Sequence, residues 1–329
     1  MTEESLSEVQ DIPFDAHDLG PQLEPVLVEA CEGKLHDIHW FKVDWQRGGA
    51  ATAYGQFRFD DGPDKPVVIK FPVGPQEYRF TTLLSTTEAP TPRLAAHGVE
   101  LGGYDFAWLV MERLPGDPLA ARIHKEVFRE LAAACVGFSI AADAHVPARE
   151  DDEPPQADWA ELLERARAAI KNTHIPDEQS WNNAIRDVQK HVVRLQSEWR
   201  ARDTSTWCHG DLHAGNLMHR TESLWGDDGC VLLDLAEVHR GHWVEDAVYL
   251  ERLYWGREEA IKGIKPVSLL ARARRDRGLD TSDDYASIAN LRRVLLAACV
   301  PAFLHREGHP KYLAAALKIL DRLVPQVTG

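Results

Sequence analysis

The chain has 329 residues, of which 44% are hydrophobic and 27% charged, as in a globular protein with one large domain or two smaller ones. Its net charge of −15 argues against nucleic acid and anionic membrane surfaces as partners, because both attract basic patches. The five cysteines form no CxxC pair and no apolar leader opens the chain, so we expect a reduced, cytoplasmic protein. The longest apolar run, VLLAACVPAFL, is too short to span a bilayer.

The beginning of the chain changes from an acidic segment to a strand-rich one. Residues 1–20 contain no apolar run, and we expect them to be loose. Three runs rich in aromatic and β-branched residues follow: HDIHWFKVDW, ATAYGQFRFD and PVVIKFP. Glycine-containing turns separate them, which predicts three antiparallel strands. In the first turn, Gly48 and Gly49 would let backbone amides approach phosphate groups, although any hairpin can carry such glycines.

One helix and two further strands complete a predicted N-terminal lobe over residues 21–114. Pro75 suits the first turn of a helix, and the following residues have a rough apolar face. The next segment predicts two strands around the Gly102–Gly103 turn. The sequence PGDP at 115–118 stops any regular element, so we place the lobe boundary after Leu114.

The remaining residues, 115–329, are predominantly helical in pattern. Apolar residues at helical spacing recur in HKEVFRELAAACVGFSIAADAHV, ADWAELLERARAAI and DEQSWNNAIRDVQKHVVRLQSEWRAR. Asp177 stands where its carboxylate can cap the last of these helices. The run CVLLDLAEV predicts a short strand that ends in charged residues. The pattern therefore predicts an α+β protein, with a small antiparallel β-rich lobe carrying one main helix and a larger, mostly α-helical lobe.

The stretch WCHGDLHAGNLM concentrates polar residues that suit several kinds of chemistry. A zinc cage would use Cys208 and the histidines, but structural zinc needs a second chelating pair. A two-metal phosphoesterase needs more Asp, His and Asn ligands than the sequence supplies. In a kinase catalytic loop, an aspartate orients the acceptor hydroxyl and an asparagine after four intervening residues binds Mg²⁺, as Asp211 and Asn216 would. A polar turn without a chemical role is the remaining alternative.

Further parts of a kinase site occur in the expected order. Lys70 ends the third predicted strand and Glu77 begins the next helix, as in the pair that holds the α- and β-phosphates of ATP. Asp234 follows an apolar strand, where a second Mg²⁺ ligand is expected. Glu112 and Leu114 lie where backbone groups contact adenine. A strand lysine that faces solvent is the alternative for Lys70.

The segments HGDLHAGNLM, LLDLAE and GHWVEDAVYL together resemble the aminoglycoside phosphotransferase and choline kinase group of small-molecule kinases, over residues 40–260. This resemblance implies a protein-kinase-like fold of two lobes that binds ATP and Mg²⁺ in its cleft, with Asp211 as the base. It also implies a structural role for Asp246 and a bracing role for His209. His213 either supports the loop or approaches the substrate.

Some residues near these segments depart from the family pattern. After Asp234 the sequence reads Leu-Ala-Glu instead of the Phe-Gly of many members. Glu237 either reaches the metal or substrate or faces water. His242 and Trp243 either line the acceptor pocket or belong to the core, where aromatic residues are more common.

We expect ATP-dependent phosphoryl transfer to a hydroxyl of a small polar molecule, without a nucleic acid or membrane partner. Candidate acceptors are aminoglycosides, sugars, amino sugars and amino alcohols. Two alternatives stay open: a non-catalytic nucleotide-binding module of the same fold, and a metal-dependent phosphoesterase.

Overall fold

The computed structural model describes residues 16–41, 49–149, 152–221, 224–261 and 263–329. They divide into two compact units. The first contains the described residues up to Tyr78 together with Arg93–Arg113. The second contains Arg79–Pro92 and Leu114–Gly329.

The first unit is built around one antiparallel sheet. In chain order its elements are α1 (Ala16–Ala30), β1 (Leu35–Phe41), β2 (Ala51–Phe57), β3 (Lys65–Val73), the start of α2 (Pro75–Leu84), β4 (Leu94–Gly98) and β5 (Ala107–Glu112). The five strands follow the order β1-β2-β3-β5-β4, and every neighbouring pair is antiparallel. The meander predicted for the first three strands is confirmed.

Alternation along the strands explains which side chains enter the core of this unit. In β3, Val67, Ile69 and Phe71 are fully buried, while the intervening Lys70 points to the other face of the strand. Helix α1 begins at Ala16, inside the segment expected to be loose. Leucines at a spacing of four run along it and pack inward, including the buried Leu23 and Leu27.

The second unit is mostly helical. It contains the end of α2, α3 (Lys125–His145), α4 (Trp159–Thr173), α5 (Glu178–Arg200), β6 (Thr206–Cys208), β7 (Leu217–Arg220), β8 (Gly229–Leu232), β9 (His239–Gly241), α6 (Val244–Arg252), α7 (Pro266–Asp276), α8 (Tyr285–Cys299), α9 (Leu304–Glu307) and α10 (Pro310–Thr328). Strand β6 pairs with β9, and β7 pairs with β8, both antiparallel. The predicted α+β class is confirmed.

Two apolar clusters hold the helices of the second unit together. One joins α3, α6 and α7 around the loops that connect the short strands. The other joins α4, α5, α8 and α10 and contains the four tryptophans Trp159, Trp181, Trp199 and Trp255. These tryptophans therefore belong to the core, where their large surface contributes most to packing.

The apolar region around residue 300 belongs to this packing. By length and composition alone, Tyr285–Glu307 is apolar enough to cross a membrane. Half of its most apolar stretch is nevertheless buried inside the protein, as in a core helix.

Helix capping differs from the sequence-based expectation at one position. Asp177 precedes α5, but it has a left-handed backbone and its side chain makes no cap hydrogen bond, so the predicted cap is wrong. An N-cap residue normally has extended backbone, which directs its side chain toward the free amides. A side-chain cap occurs instead at Asp158, whose carboxylate accepts from the Glu161 amide at 2.9 Å before α4.

Candidate active site

The site is organised by the loop that leaves β6 at His209 and enters β7 after Asn216. Gly210 is essential to the path of this loop. Its φ of +83° lies in the left-handed region, and a Cβ there would collide with the carbonyl oxygen of Glu237. Only glycine meets both requirements without strain, which explains the Gly in His-Gly-Asp.

Asp246, in the first turn of α6, anchors the start of the loop. Its carboxylate is buried and accepts hydrogen bonds from the amides of His209 at 2.8 Å and Gly210 at 2.9 Å. The thiol of Cys135 lies 3.6 Å from the same carboxylate. Because a buried carboxylate must be hydrogen-bonded, these contacts explain Asp246 without a chemical step. They support the structural role implied for it.

His209 braces the loop from inside. Its Nδ1 accepts from the Asp211 amide at 3.3 Å, so its Nε2 carries the hydrogen and donates to the carbonyl of Leu233 at 3.0 Å. The side chain is fully buried, and burial lowers its pKa below the usual value. His209 is therefore a neutral imidazole that links the loop to the chain after β8.

The carboxylate of Asp211 is held from three directions. Asn216 Nδ2 donates to Oδ2 at 3.0 Å, and His213 Nε2 lies 3.4 Å from the same oxygen. The hydroxyl of Tyr249, from α6, donates to Oδ1 in a short hydrogen bond. The Asp211 side chain is 27% exposed, so a small molecule can approach it. The loop thus presents one fixed, accessible carboxylate.

These hydrogen bonds also determine the charge of the carboxylate. Burial alone would raise the pKa of Asp211, but the hydrogen bonds from His213, Tyr249 and Asn216 outweigh it and lower the pKa well below its usual value. Burial, followed by the bond to Asp211, raises the pKa of Tyr249. At neutral pH the pair is an ionised acceptor and a neutral donor.

Asn216 and Asp234 lie at the same end of the β7–β8 hairpin. Leu217 pairs with Leu232, and the amide of Leu233 donates to the carbonyl of Asn216 at 2.9 Å. Asp234 is exposed and has a left-handed φ of 58°, an uncommon conformation that occurs often at functional sites. Since Asn216 donates its amide nitrogen to Asp211, its amide oxygen is left to act as an acceptor. An amide oxygen and a carboxylate are the hard ligands that fit Mg²⁺.

In the first unit, the structure brings Lys70 and Glu77 together. Lys70 Nζ lies 2.6 and 2.7 Å from the two carboxylate oxygens of Glu77. Glu77 is buried in the first turn of α2, whereas the lysine is partly exposed. Of the two turn glycines, Gly49 is exposed just before β2, and Gly48 lies outside the described residues.

Glu112, at the end of β5, forms hydrogen bonds with Arg93. Its carboxylate accepts from the Arg93 amide and its own amide donates to the Arg93 carbonyl, both at 2.9 Å. Leu114 is buried at the start of the second unit's main segment. Contact between their backbones and adenine stays a prediction.

Three further candidates lie outside the contacts of Asp211. His242 is buried and its Nε2 lies 2.7 Å from Asp283, while Trp243 is buried against Tyr285. Burial favours the core alternative for both residues. Glu237 is exposed, and its carbonyl accepts from His239 Nδ1 at 2.8 Å. Contact of these side chains with an acceptor stays a prediction.

The sequence-based reasoning missed Tyr249. Its position three residues after Asp246 was the available signal, because residues three or four apart share one face of a helix. Asp246 in the first turn of α6 anchors the loop, so Tyr249, one turn later on the same face, also points at the loop.

The chain resembles known proteins in sequence family and in fold. A family model described as the APH phosphotransferase enzyme family matches residues 56–291. None of the curated protein sequences compared with the chain matches it significantly.

Several solved structures that resemble the chain are aminoglycoside phosphotransferases. A candidate aminoglycoside phosphotransferase from Ralstonia eutropha is 13% identical, with a TM-score of 0.57 over 93% of this chain and 98% of that one. Spectinomycin phosphotransferase, in complex with ADP and spectinomycin, is 14% identical, with a TM-score of 0.53 over 96% and 98%. A thermostable APH(4)-Ia mutant, with ADP and hygromycin B, is 14% identical, with a TM-score of 0.51 over 94% and 99%. At these identities the likeness shows a common fold.

Proposed function

The chain belongs to the phosphotransferase enzyme family, and we propose that it transfers the γ-phosphoryl group of ATP to a hydroxyl of a small polar molecule. The observation that carries this proposal is the carboxylate of Asp211, bonded to Asn216 and Tyr249 yet partly exposed. We assign nucleotide binding to residues 21–114, and catalysis and acceptor binding to residues 115–329.

Asp211 orients the attacking hydroxyl and receives its proton. The acceptor oxygen forms a bond to the γ-phosphorus, the bond from that phosphorus to the bridging oxygen breaks, and ADP leaves. In a loose transition state the acceptor proton departs late, so a fixed acceptor of low basicity is sufficient. Tyr249 and Asn216 hold the carboxylate, because a small error in orientation costs much of the rate. His213 Nε2 lies next to Asp211 Oδ2, the carboxylate oxygen that also accepts from Asn216, and helps to hold it.

Asn216 and Asp234 are the proposed ligands for Mg²⁺, which when bound neutralises phosphate charge. Lys70 is proposed to bind the α- and β-phosphates. Glu77 holds the lysine in one orientation through two short contacts, and Gly48 and Gly49 let backbone amides approach. Glu112 and Leu114 offer backbone groups to adenine.

The acceptor is proposed to be an aminoglycoside, a sugar, an amino sugar or an amino alcohol. The fold similarity to spectinomycin phosphotransferase and to APH(4)-Ia in complex with hygromycin B supports a polar, hydroxyl-rich molecule. The net charge of −15 favours a cationic one through long-range attraction. Glu237 is exposed next to the loop, and we propose that its side chain contacts the acceptor.

A coupled ADP-release screen over these four acceptor classes tests the proposal, with Asp211→Asn as the matched variant. We expect one class to stimulate ADP release, and the variant to lose about 10²–10⁴ in kcat, as for loss of a positioned proton acceptor. Nucleotide binding without turnover on any acceptor would favour the non-catalytic module. Release of phosphate from phosphoesters without nucleotide would favour the phosphoesterase.

A further inference from the structure

A second group of potential ligands lies at the far end of the β7–β8 hairpin. His219 and Cys230 are directly opposite each other in the strand register. Such cross-strand pairs place their Cβ atoms about 4.5–5.5 Å apart on one face of a sheet. Glu130 comes from α3, which packs against β8, and its Oε2 lies 3.1 Å from His219 Nε2. One ligand atom from each residue lies within 4.8 Å of the others.

We propose that Glu130, His219 and Cys230 bind a zinc-class divalent transition metal ion. Imidazole, thiolate and carboxylate are the protein ligands of Zn²⁺. Tetrahedral coordination at usual bond lengths separates donor atoms by about 3.3–3.6 Å, so shifts of no more than roughly 1.5 Å complete the set. Three protein ligands leave a fourth position for water. Because thiolate ligands select soft ions over Mg²⁺, this site is chemically distinct from the proposed magnesium ligands.

The electrostatic surroundings support a cation at this position. Among the described residues no lysine or arginine pairs with Glu130, and its hydrogen-bond partner is His219. All three residues are partly exposed, so an ion can enter from solvent. The carboxylate is therefore available to neutralise an incoming cation.

A comparison cluster shows why distance alone does not define such a site. Cys208, His239 and Glu245 also bring their ligand atoms within 4.8 Å of one another. There, Arg202 donates twice to Glu245, at 2.8 and 2.9 Å, and the Cys208 thiol donates to the His242 carbonyl in the core. The guanidinium already supplies the positive charge, so we do not propose a metal site at this second cluster.

The thiol gives the proposed site a pH signature. A cysteine binds a metal ion as the thiolate, whereas an ordinary free thiol, with a pKa of about 8.5, carries a proton at neutral pH. A metal ion must displace that proton. Binding therefore releases a proton and strengthens as the pH rises.

The position in the fold suggests a structural role. The metal would join α3 to the end of the hairpin whose other end carries Asn216 and Asp234. The inference itself does not depend on the proposed phosphotransfer, because its readout is metal binding.

Cobalt titration of the untagged full chain tests the proposal. Co²⁺ replaces Zn²⁺ in such sites and gives a near-ultraviolet charge-transfer band when a thiolate binds it. We expect one equivalent to bind, Zn²⁺ to displace it, and Cys230→Ser to abolish the band. His219→Ala and Glu130→Gln should each weaken binding by at least about 10-fold, since even groups that only orient ligands have effects of that size. His124→Ala and Glu126→Gln are matched controls near or within α3, and both residues are exposed.

Two results of the cobalt titration would overturn the proposal. One is cobalt binding without a thiolate band, or with a band that survives in Cys230→Ser. The other is an equal loss of binding in the controls. Thermal melting shows whether each variant is folded. Zn²⁺ should raise the Tm of the unmodified chain but leave the Tm of folded His219→Ala unchanged. An equal rise in both proteins would also count against the site.

Discussion

Tyr249→Phe removes the hydroxyl that donates to Asp211 Oδ1 and keeps the aromatic ring. A hydrogen bond to a charged group contributes about 1.5–3 kcal/mol. At 1.36 kcal/mol per tenfold change in rate, its full loss from the transition state corresponds to about 10–150-fold. Asp211 keeps its contacts with Asn216 and His213, so its orientation is only partly lost. We therefore expect kcat to fall about 10-fold, at the low end of that range.

Steady-state ADP release with an acceptor from the screen measures this effect, with kcat and the two KM values determined separately. The KM for ATP should stay constant, because Tyr249 is proposed to act on the acceptor side. Tyr254→Phe is the matched control, since Tyr254 follows the same helix and packs against Phe128 instead of Asp211. We expect this control to retain full kcat.

An unchanged kcat in Tyr249→Phe would refute the positioning role. So would an equal decrease in both variants, which would indicate a general packing effect. A lower acceptor KM with an unchanged kcat would show instead that the tyrosine competes with the acceptor for Asp211.

Three other predictions concern the loop anchor, the nucleotide and pH. Asp246→Ala leaves the buried His209 amide unpaired, at about 1–3 kcal/mol, and the partly buried Gly210 amide at a smaller cost, so urea denaturation should show a loss of at least about 1–3 kcal/mol in the free energy of unfolding. Lys70→Met removes one charge-assisted contact, so it should weaken ATP binding about 10–100-fold in a nucleotide titration. The conservative Lys70→Arg keeps the positive charge and should lose less affinity. Burial raises the pKa of Glu245, but the hydrogen bond from His239 and the positive charges of Arg292 and Arg202 outweigh it and lower the pKa to about 2 from 4.5. The folded-state pKa is depressed, so this stabilisation is complete above pH 4.5 and disappears as the pH falls toward 2. It amounts to roughly 3 kcal/mol, and Glu245→Gln should flatten that part of the pH profile of the free energy of unfolding.

Local features of the fold were predictable because they depend on neighbours in sequence. The β1–β3 meander follows from alternating apolar residues and glycine turns, and α4 and α5 from helical periodicity. The spacing of Asp211 and Asn216 is likewise local, since a loop of four intervening residues can return the amide to the carboxylate. The failed cap at Asp177 shows the limit, because its backbone conformation is not encoded by residue type.

The local sequence pattern predicts the strands of the first unit and places Asp211 and Asn216 in one loop. Contacts between residues far apart in the chain depend on how the elements pack. Tyr249 reaches Asp211 across 38 positions, His219 reaches Glu130 across 89, and His242 bonds to Asp283 across 41. The spacing of apolar residues along the chain defines which face of a helix or strand is buried. It does not define which polar side chains meet, because that depends on the orientation of the elements when they pack around a shared core.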